Sequence, residues 1–223
     1  LTSNYEQLSL KAAEAIAAQI KAKPGSCLGL PSGRSPLGCY QLLSRWTQEG
    51  RLDWSSVRCF ALDDYLDAEE TKTFASFLQE NLYKHTNLPL SQRFNPRFHD
   101  DYDGLIAGFG GLDLTMIGIG RNGHIAFNEP GTPRLSWTHC VWLEESTRQQ
   151  NAGYFGSPDQ VPKRAVTMGL DTIMQSRSLF LLVSGEYKRD VLKQTMCSQF
   201  TKNVPASCLP EHKNLTVLAD FFL

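Results

Sequence analysis

This chain lacks most of the features that would assign it quickly to a class. No apolar run approaches the ~18 residues that a membrane span needs, and the 22 Lys and Arg nearly balance the 23 Asp and Glu. A net charge of −1 supplies no basic field for nucleic acid or an anionic membrane. The six cysteines, Cys27, Cys39, Cys59, Cys140, Cys197 and Cys208, are scattered, with no CxxC and no paired spacing. That excludes a zinc ribbon and a disulfide framework, and leaves several of them as buried small hydrophobes. There is no GxxxxGK[ST] loop, so no nucleotide is implied. No Pro/Gly/Ser linker, repeat or low-complexity tract divides the 223 residues, and one domain over 1–223 is expected. No signal peptide is legible, and a cytoplasmic protein is expected. The chain begins at Leu1 rather than Met, so the natural N-terminus is expected upstream.

What is present is an alternation of short apolar runs and amphipathic segments. Residues 4–22 place Leu8, Ala12, Ala15, Ile16 and Ile20 on one helical face, and Lys23-Pro24-Gly25 stops the helix. Runs at 27–30, 57–62, 112–119, 138–143, 178–183 and 215–219 read as strands. Helices are expected from Leu37 to about Gly50, from Thr73 to Lys84, around Ile173 and from Lys188 through Gln194. Residues 88–103 read as loop, with His85 and His99 as surface histidines. Strands buried on both faces and separated by helices predict a three-layer α/β/α fold with a mostly parallel, Rossmann-like sheet.

The chemistry gathers where strands end. Gly118-Ile119-Gly120-Arg121-Asn122-Gly123 closes one strand, and His124, Asn128 and Glu129 follow at once. Glycines permit a tight turn and a close approach to a ligand, and the carboxyl ends of parallel strands are where ligands bind. An ordinary strand-to-helix connection would look much the same, since a lone GxG is weak evidence. Ser32-Gly33-Arg34-Ser35 lies between a strand and a helix, a place for an anion. The same residues also read as a capped helix, with Ser35 as N-cap and Pro36 at the first helical position. Asp63 and Asp64 end another strand, where a catalytic base could sit or a helix be capped. Lys188 opens a helix after a fourth strand. The polar segment 146–162, with Gly153 and Gly156, reads as a helix–loop lid.

GLPSGRSPLGCY, FALDDYL, GIGRNGHIAFNEPG and LLVSGEYKRDVL, in this order, resemble the glucosamine-6-phosphate deaminase family. Its wider group includes 6-phosphogluconolactonases and galactosamine-6-phosphate deaminases. The resemblance implies conversion of glucosamine 6-phosphate and water to fructose 6-phosphate and ammonia, with no metal and no cofactor. Galactosamine 6-phosphate deamination, lactone hydrolysis and a non-catalytic sugar-phosphate sensor are the alternatives. By the match, Asp63 resembles the base that moves a proton between carbons, His124 the ring-opening residue and Glu129 its orienting partner. Asn122 stands where well-known members carry aspartate. Ser32, Gly33, Arg34, Ser35 and Lys188 resemble the phosphate site. Gly153 stands where a lid arginine would grip phosphate, with Arg148 or Arg34 as substitutes. His139 and Val141 replace the basic residues of the allosteric pocket. The resemblance thus implies a monomer or small homo-oligomer, not an allosteric hexamer, with a sugar phosphate as its partner and neither nucleic acid nor membrane.

Overall fold

A computed structural model describes residues 4–197 and 199–222. The first half of the chain forms α1 (Tyr5–Ala22), β1 (Cys27–Leu30), α2 (Leu37–Gln48), β2 (Arg58–Ala61), β3 (Asp63–Tyr65), α3 (Phe74–Asn81), β4 (Arg93–Phe94) and α4 (Tyr102–Gly108). The second half forms β5 (Leu114–Gly118), β6 (His139–Trp142), α5 (Glu145–Phe155), β7 (Arg164–Thr167), α6 (Leu170–Met174), β8 (Leu179–Val183), α7 (Arg189–Cys197) and β9 (Leu215–Ala219).

Six strands make the main sheet in the order β4-β2-β1-β5-β8-β9, and every neighbouring pair is parallel. Side chains alternate across it. Leu28, Leu30, Cys59, Ala61, Leu114, Met116 and Leu182 face one core, covered by α1, α2 and α3. Cys27, Phe60, Ile117, Leu179, Leu181 and Val183 face the other, covered by α4, α6 and α7. Both faces are therefore dry, which is why these strands read as unbroken apolar runs. Four cysteines pack in the interior as small hydrophobes, whereas Cys140 and Cys197 are exposed.

A second sheet, β3-β7-β6, is antiparallel and was not expected. The apolar run at 138–143 does form a strand, but it joins this small sheet and not the main one. One residue, Leu62, separates the end of β2 from the start of β3. A third apolar cluster of Tyr65, Phe127, Leu143, Phe155, Val161 and Ala165 holds the small sheet against α5.

Several local expectations are corrected. Pro36, not Ser35, occupies the N-cap position of α2, and no side chain caps that helix. The helix expected to reach Lys84 ends at Asn81 and continues as a 3-10 turn over Tyr83–His85. The expected loop 88–103 contains β4, too short to show a period, and the start of α4, whose glycines mask its pattern. Neither histidine is a plain surface residue: both are half-buried, and the His99 ring stacks on Tyr102 at 6.0 Å. Lys188 ends a 3-10 turn just ahead of α7.

Among the described residues no helix is long and apolar enough to cross a membrane.

Candidate active site

The order in which the chain adds strands to the parallel main sheet reverses between β1 and β5. The chain leaves β1 toward β2 on one side, and β5 begins the other half. Loops diverge at such a switch point and open a crevice at the carboxyl ends of the strands. Residues 31–36 follow β1 there, and 119–124 follow β5. Asp63 follows β2, and Ser184–Lys188 follow β8. The fold thus brings all four sequence stretches to one end of one sheet.

The β5 turn seats an imidazole. A Cβ on Gly120 would lie 2.3 Å from the His124 ring, so only glycine leaves space for it. Ala126 adopts φ 50°, a left-handed conformation uncommon outside glycine, so the turn carries local strain. Asn128 ties the turn down by donating to the Ile125 and Met168 carbonyls at 2.9 and 2.8 Å. It is fully buried and serves the backbone instead of the crevice.

Glu129 is buried beside this turn. Its Oε2 lies 3.6 Å from His124 Nδ1 and accepts from Asn122 Nδ2 at 3.0 Å. Its Oε1 accepts from the Glu144 N–H at 3.3 Å. Thr147 Oγ1 lies 3.4 Å from His124 Nδ1. Burial works to raise the Glu129 pKa, but the interactions with His124, Thr147 and Asn122 outweigh it and hold the carboxyl below its usual range. These interactions favour the ionised Glu129 carboxylate beside the imidazole. Asn122 links the group at both ends, since its Oδ1 also accepts from the His124 N–H at 3.2 Å.

Asp63 and Asp64 are adjacent, buried and differently used. Asp64 accepts from the N–H groups of Tyr65, Phe74 and Ala75, and from Asn95 Nδ2, all at 2.7–3.0 Å. It holds the start of α3 and is structural. Among the described residues the Asp63 side chain has no hydrogen-bond partner. Burial pushes its carboxyl well above the usual carboxylate range, and the Asp64 charge adds to the shift. The residue opposite Asp63 in the small sheet is Thr167. Thr167 Oγ1 also accepts from the Phe127 N–H at 3.1 Å, so one residue positions Asp63 relative to the histidine turn.

The remaining groups are cationic. Burial, then Arg34 and Arg121, lower the Lys188 pKa to about 8, so three cations stand close together. Ser32 Oγ is buried without a partner. Among the described residues, the N–H groups of Ser32, Gly33, Arg34 and Ser35 donate to no protein acceptor, and Gly33 has φ 101°. Tyr5 fixes this loop from α1: its hydroxyl donates to the Arg34 carbonyl at 3.0 Å and accepts from the Gly38 N–H at 2.9 Å. Arg148 is not part of this group. Its guanidinium bonds Glu145 and the carbonyls of Pro158 and Val161, all within its own segment.

Sequence reading missed Arg121, Thr147 and Tyr5. Arg121 adjoins Asn122 in the glycine turn, a signal that was available. Nothing local marks Tyr5 or Thr147, which matter through contacts distant in sequence. Among the described residues no group of three or more His, Cys, Asp or Glu could hold a metal ion.

Residues 3–218 match the family described as glucosamine-6-phosphate isomerases/6-phosphogluconolactonase. A curated glucosamine-6-phosphate deaminase of Geobacillus sp. (strain WCH70) is 42% identical, over 98% of this chain and 91% of its own length. Another, from Lachnoclostridium phytofermentans, is 40% identical over 98% and 97%. A solved structure described as a monomeric glucosamine-6-phosphate deaminase superposes with a TM-score of 0.93 at 38% identity, covering 97% of this chain and 94% of that one. A 6-phosphogluconolactonase from Trypanosoma brucei gives 0.78 at 19% identity over 98% and 94%, a likeness of fold alone.

Asp63 has a consequence for stability. A carboxyl whose folded pKa is raised binds more protons in the native state than in the unfolded chain. Stability therefore falls as pH rises from the ordinary aspartate range through the folded pKa. Asp63→Asn removes the ionisable group and keeps its shape. The variant is expected to melt at a higher temperature than wild type near pH 7, with a smaller difference near pH 4. Thermal denaturation at the two pH values checks this, and a variant less stable at both would contradict the burial argument.

Proposed function

The chain belongs to the family of glucosamine-6-phosphate isomerases and 6-phosphogluconolactonases, and on that premise we propose that it is a glucosamine-6-phosphate deaminase. It converts glucosamine 6-phosphate and water to fructose 6-phosphate and ammonia, and it requires neither metal nor redox cofactor. The observation that carries this reading is an unpartnered buried carboxylate, Asp63, at the same sheet end as an imidazole–carboxylate pair and a cluster of cations.

Each group has a task that its surroundings suit. His124 opens the sugar ring: it takes the proton from the C1 hydroxyl and delivers one to the ring oxygen, with Glu129 and Asn122 fixing its orientation. Asp63 then removes the proton from C2, giving an enolamine, and returns a proton to C1. Burial makes its carboxyl basic enough to take that proton and keeps bulk water from exchanging it. The product is an imine at C2. Water adds to C2, nitrogen gains a proton, and ammonia leaves as the ketone forms. Ser32, Gly33, Arg34, Ser35 and Lys188 hold the 6-phosphate and use its binding energy to place C1 and C2 against Asp63. The protein works in the cytoplasm as a monomer or small homo-oligomer, in keeping with the similar structure described as monomeric. Activation by an acetylated sugar phosphate is not expected, since His139 and Val141 supply no basic pocket and His139 Nδ1 contacts the Trp137 carbonyl at 2.7 Å.

The direct test is ammonia release from glucosamine 6-phosphate and from galactosamine 6-phosphate, alongside hydrolysis of 6-phosphogluconolactone. Glucosamine 6-phosphate is expected to be the preferred substrate. Asp63→Asn should lower turnover by about 10²–10⁴, the range for a positioned base, while phosphate affinity stays within a few-fold. Near-normal turnover in that variant removes Asp63 from the mechanism, and preferred lactone hydrolysis overturns the assignment.

Lys188 gives a pH test. With a pKa of about 8 it is mostly protonated at pH 7 and loses its charge as pH rises through that value. Affinity for inorganic phosphate should fall over the same interval, and Lys188→Ala should bind weakly at every pH and lose that dependence. Calorimetric titration at about pH 8 and pH 10, where inorganic phosphate stays a dianion, reads both, and an equal loss of affinity with pH in the variant sinks this role.

We further propose that 146–162 is a lid. Most of it is α5 and a 3-10 turn over Pro158–Gln160, joined through the Arg148 bonds. Its first turn touches the catalytic groups through Thr147 and the Glu144 N–H. Gln150 Oε1 lies 3.5 Å from the Arg121 N–H, and Gly153 stands one turn further along the same helical face. A Cβ at Gly153 meets nothing within 4 Å. Gly153→Arg should therefore fit and lower KM for the phosphorylated substrate. Amide exchange across 146–162 should slow when a competitive inhibitor binds. Exchange that is already slow and independent of ligand would make the segment a fixed part of the fold.

A further inference from the structure

We infer that Arg121 and Tyr187 form a fixed clamp for the phosphate, with the Tyr187 ring as the platform on which the Arg121 guanidinium lies. The inference rests on the sugar-phosphate reading above and adds two residues to which the family resemblance gave no role. The guanidinium carbon of Arg121 is 4.6 Å from the centroid of the Tyr187 ring, and the Lys188 ammonium is 5.9 Å from the same centroid. Two cations from different parts of the chain thus lie close to one aromatic ring. Arg121 comes from the turn after β5, and Tyr187 and Lys188 come from the turn after β8.

The charges around them are unbalanced. Among the described residues none of Arg34, Arg121 or Lys188 forms an ion pair. The nearby acids are engaged elsewhere: Glu186 pairs with Arg189 at 2.6 Å. Asp220 accepts from Ser184 Oγ at 2.7 Å and from the Gly185 N–H at 2.9 Å, shaping the turn that carries Tyr187. Burial of Lys188, followed by repulsion from Arg34 and Arg121, makes its proton easier to lose. Like charges held together at a cost call for a counter-charge, and a phosphate monoester dianion supplies one. The adjacent loop offers the buried, unpartnered Ser32 Oγ and free N–H groups to the same anion.

The two residue types divide the work. A guanidinium presents a planar fork that bonds two phosphate oxygens at once, and an ammonium acts as a point charge on a third. Stacking on an aromatic face fixes the plane of the fork before the ligand arrives, so less freedom is lost on binding. Tyr187 is 55% exposed, a large apolar surface left open beside the crevice, and a platform role accounts for that exposure. The clamp stands on two loops of the rigid sheet, and its grip does not depend on lid closure.

The test is calorimetric titration of the intact protein with inorganic phosphate at pH 7 and fixed ionic strength. Ammonia release does not enter that measurement, so it stands apart from the deaminase assignment. Arg121→Ala is expected to raise Kd by about tenfold or more, the loss of a charge-assisted pair. Arg121→Lys should recover part of that loss. Tyr187→Phe should bind within about twofold of wild type, whereas Tyr187→Ala should bind several-fold more weakly. KM for glucosamine 6-phosphate should follow the same order. Unchanged phosphate affinity in Arg121→Ala, or wild-type protein that binds no phosphate, would overturn the clamp. Equal losses in Tyr187→Phe and Tyr187→Ala would overturn the platform.

Discussion

The rest of the site is arranged around the burial of one carboxylate that no described residue pairs. Removing an aspartate from water disfavours its charge, and the usual remedies are a cation, several N–H donors or protonation. The two aspartates after β2 differ in this respect. Asp64 takes four donors and fastens the start of α3. Asp63, one residue away and also buried, takes none among the described residues, and the charge on Asp64 makes its own ionisation harder. The donors that relieve one aspartate therefore leave the other unrelieved, which is what the proposed proton transfer asks of it. The small antiparallel sheet keeps Asp63 in that place: its backbone pairs with Thr167, and the Thr167 hydroxyl holds the Phe127 N–H in the turn that carries His124.

Charge is divided along the crevice in the same spirit. At the β5 turn a buried anion, Glu129, is satisfied by an imidazole, an amide, a backbone N–H and a hydroxyl. At the ends of β1 and β8 the excess is positive: among the described residues no carboxylate forms an ion pair with Arg34, Arg121 or Lys188, and Asp220 offsets the Lys188 shift only in part. A ligand with a dianion at one end and reacting carbons several bonds away fits that polarity. The remote dianion supplies affinity, and the reacting end is left to groups whose partners tune them for proton transfer. Arg121 belongs to both regions by sequence, since it sits one residue from Asn122, yet its guanidinium turns to Tyr187.

Sequence legibility followed the reach of the underlying forces. The strands of the parallel sheet were readable because both faces of each are dry, which leaves apolar runs. The positions of His124, Glu129 and Asp63 were readable because they follow those runs at strand ends. Contacts set by long-range packing were not readable. β3 is three residues long and pairs with a strand about a hundred positions away, so no local period marks it. Tyr5 closes the phosphate loop from the first turn of α1, where it reads as an ordinary helical residue. Arg148 looked available for phosphate because charge is visible in sequence, but its three bonds within 145–161 are not.

Fold alone does not choose the chemistry here. A lactonase of 19% identity shares the architecture, so the choice lies with the groups at the strand ends. Hydrolysing a lactone requires a water molecule to be activated and an alkoxide to be released, and the base for that task needs access to water. Isomerisation before deamination is different. A carbon-bound proton must leave C2 and a proton must reach C1 while the enolamine is sheltered, which calls for a base that is basic through burial and undistracted by other partners. Asp63 meets both conditions, and the neighbour that could have compromised it, Asp64, is committed to α3. The proposed lid would supply the remaining requirement, exclusion of bulk water; its first turn places Thr147 Oγ1 3.4 Å from the imidazole. In the proposed reaction the burial that costs the fold stability as Asp63 ionises is also what would make it a base, so one substitution should change both.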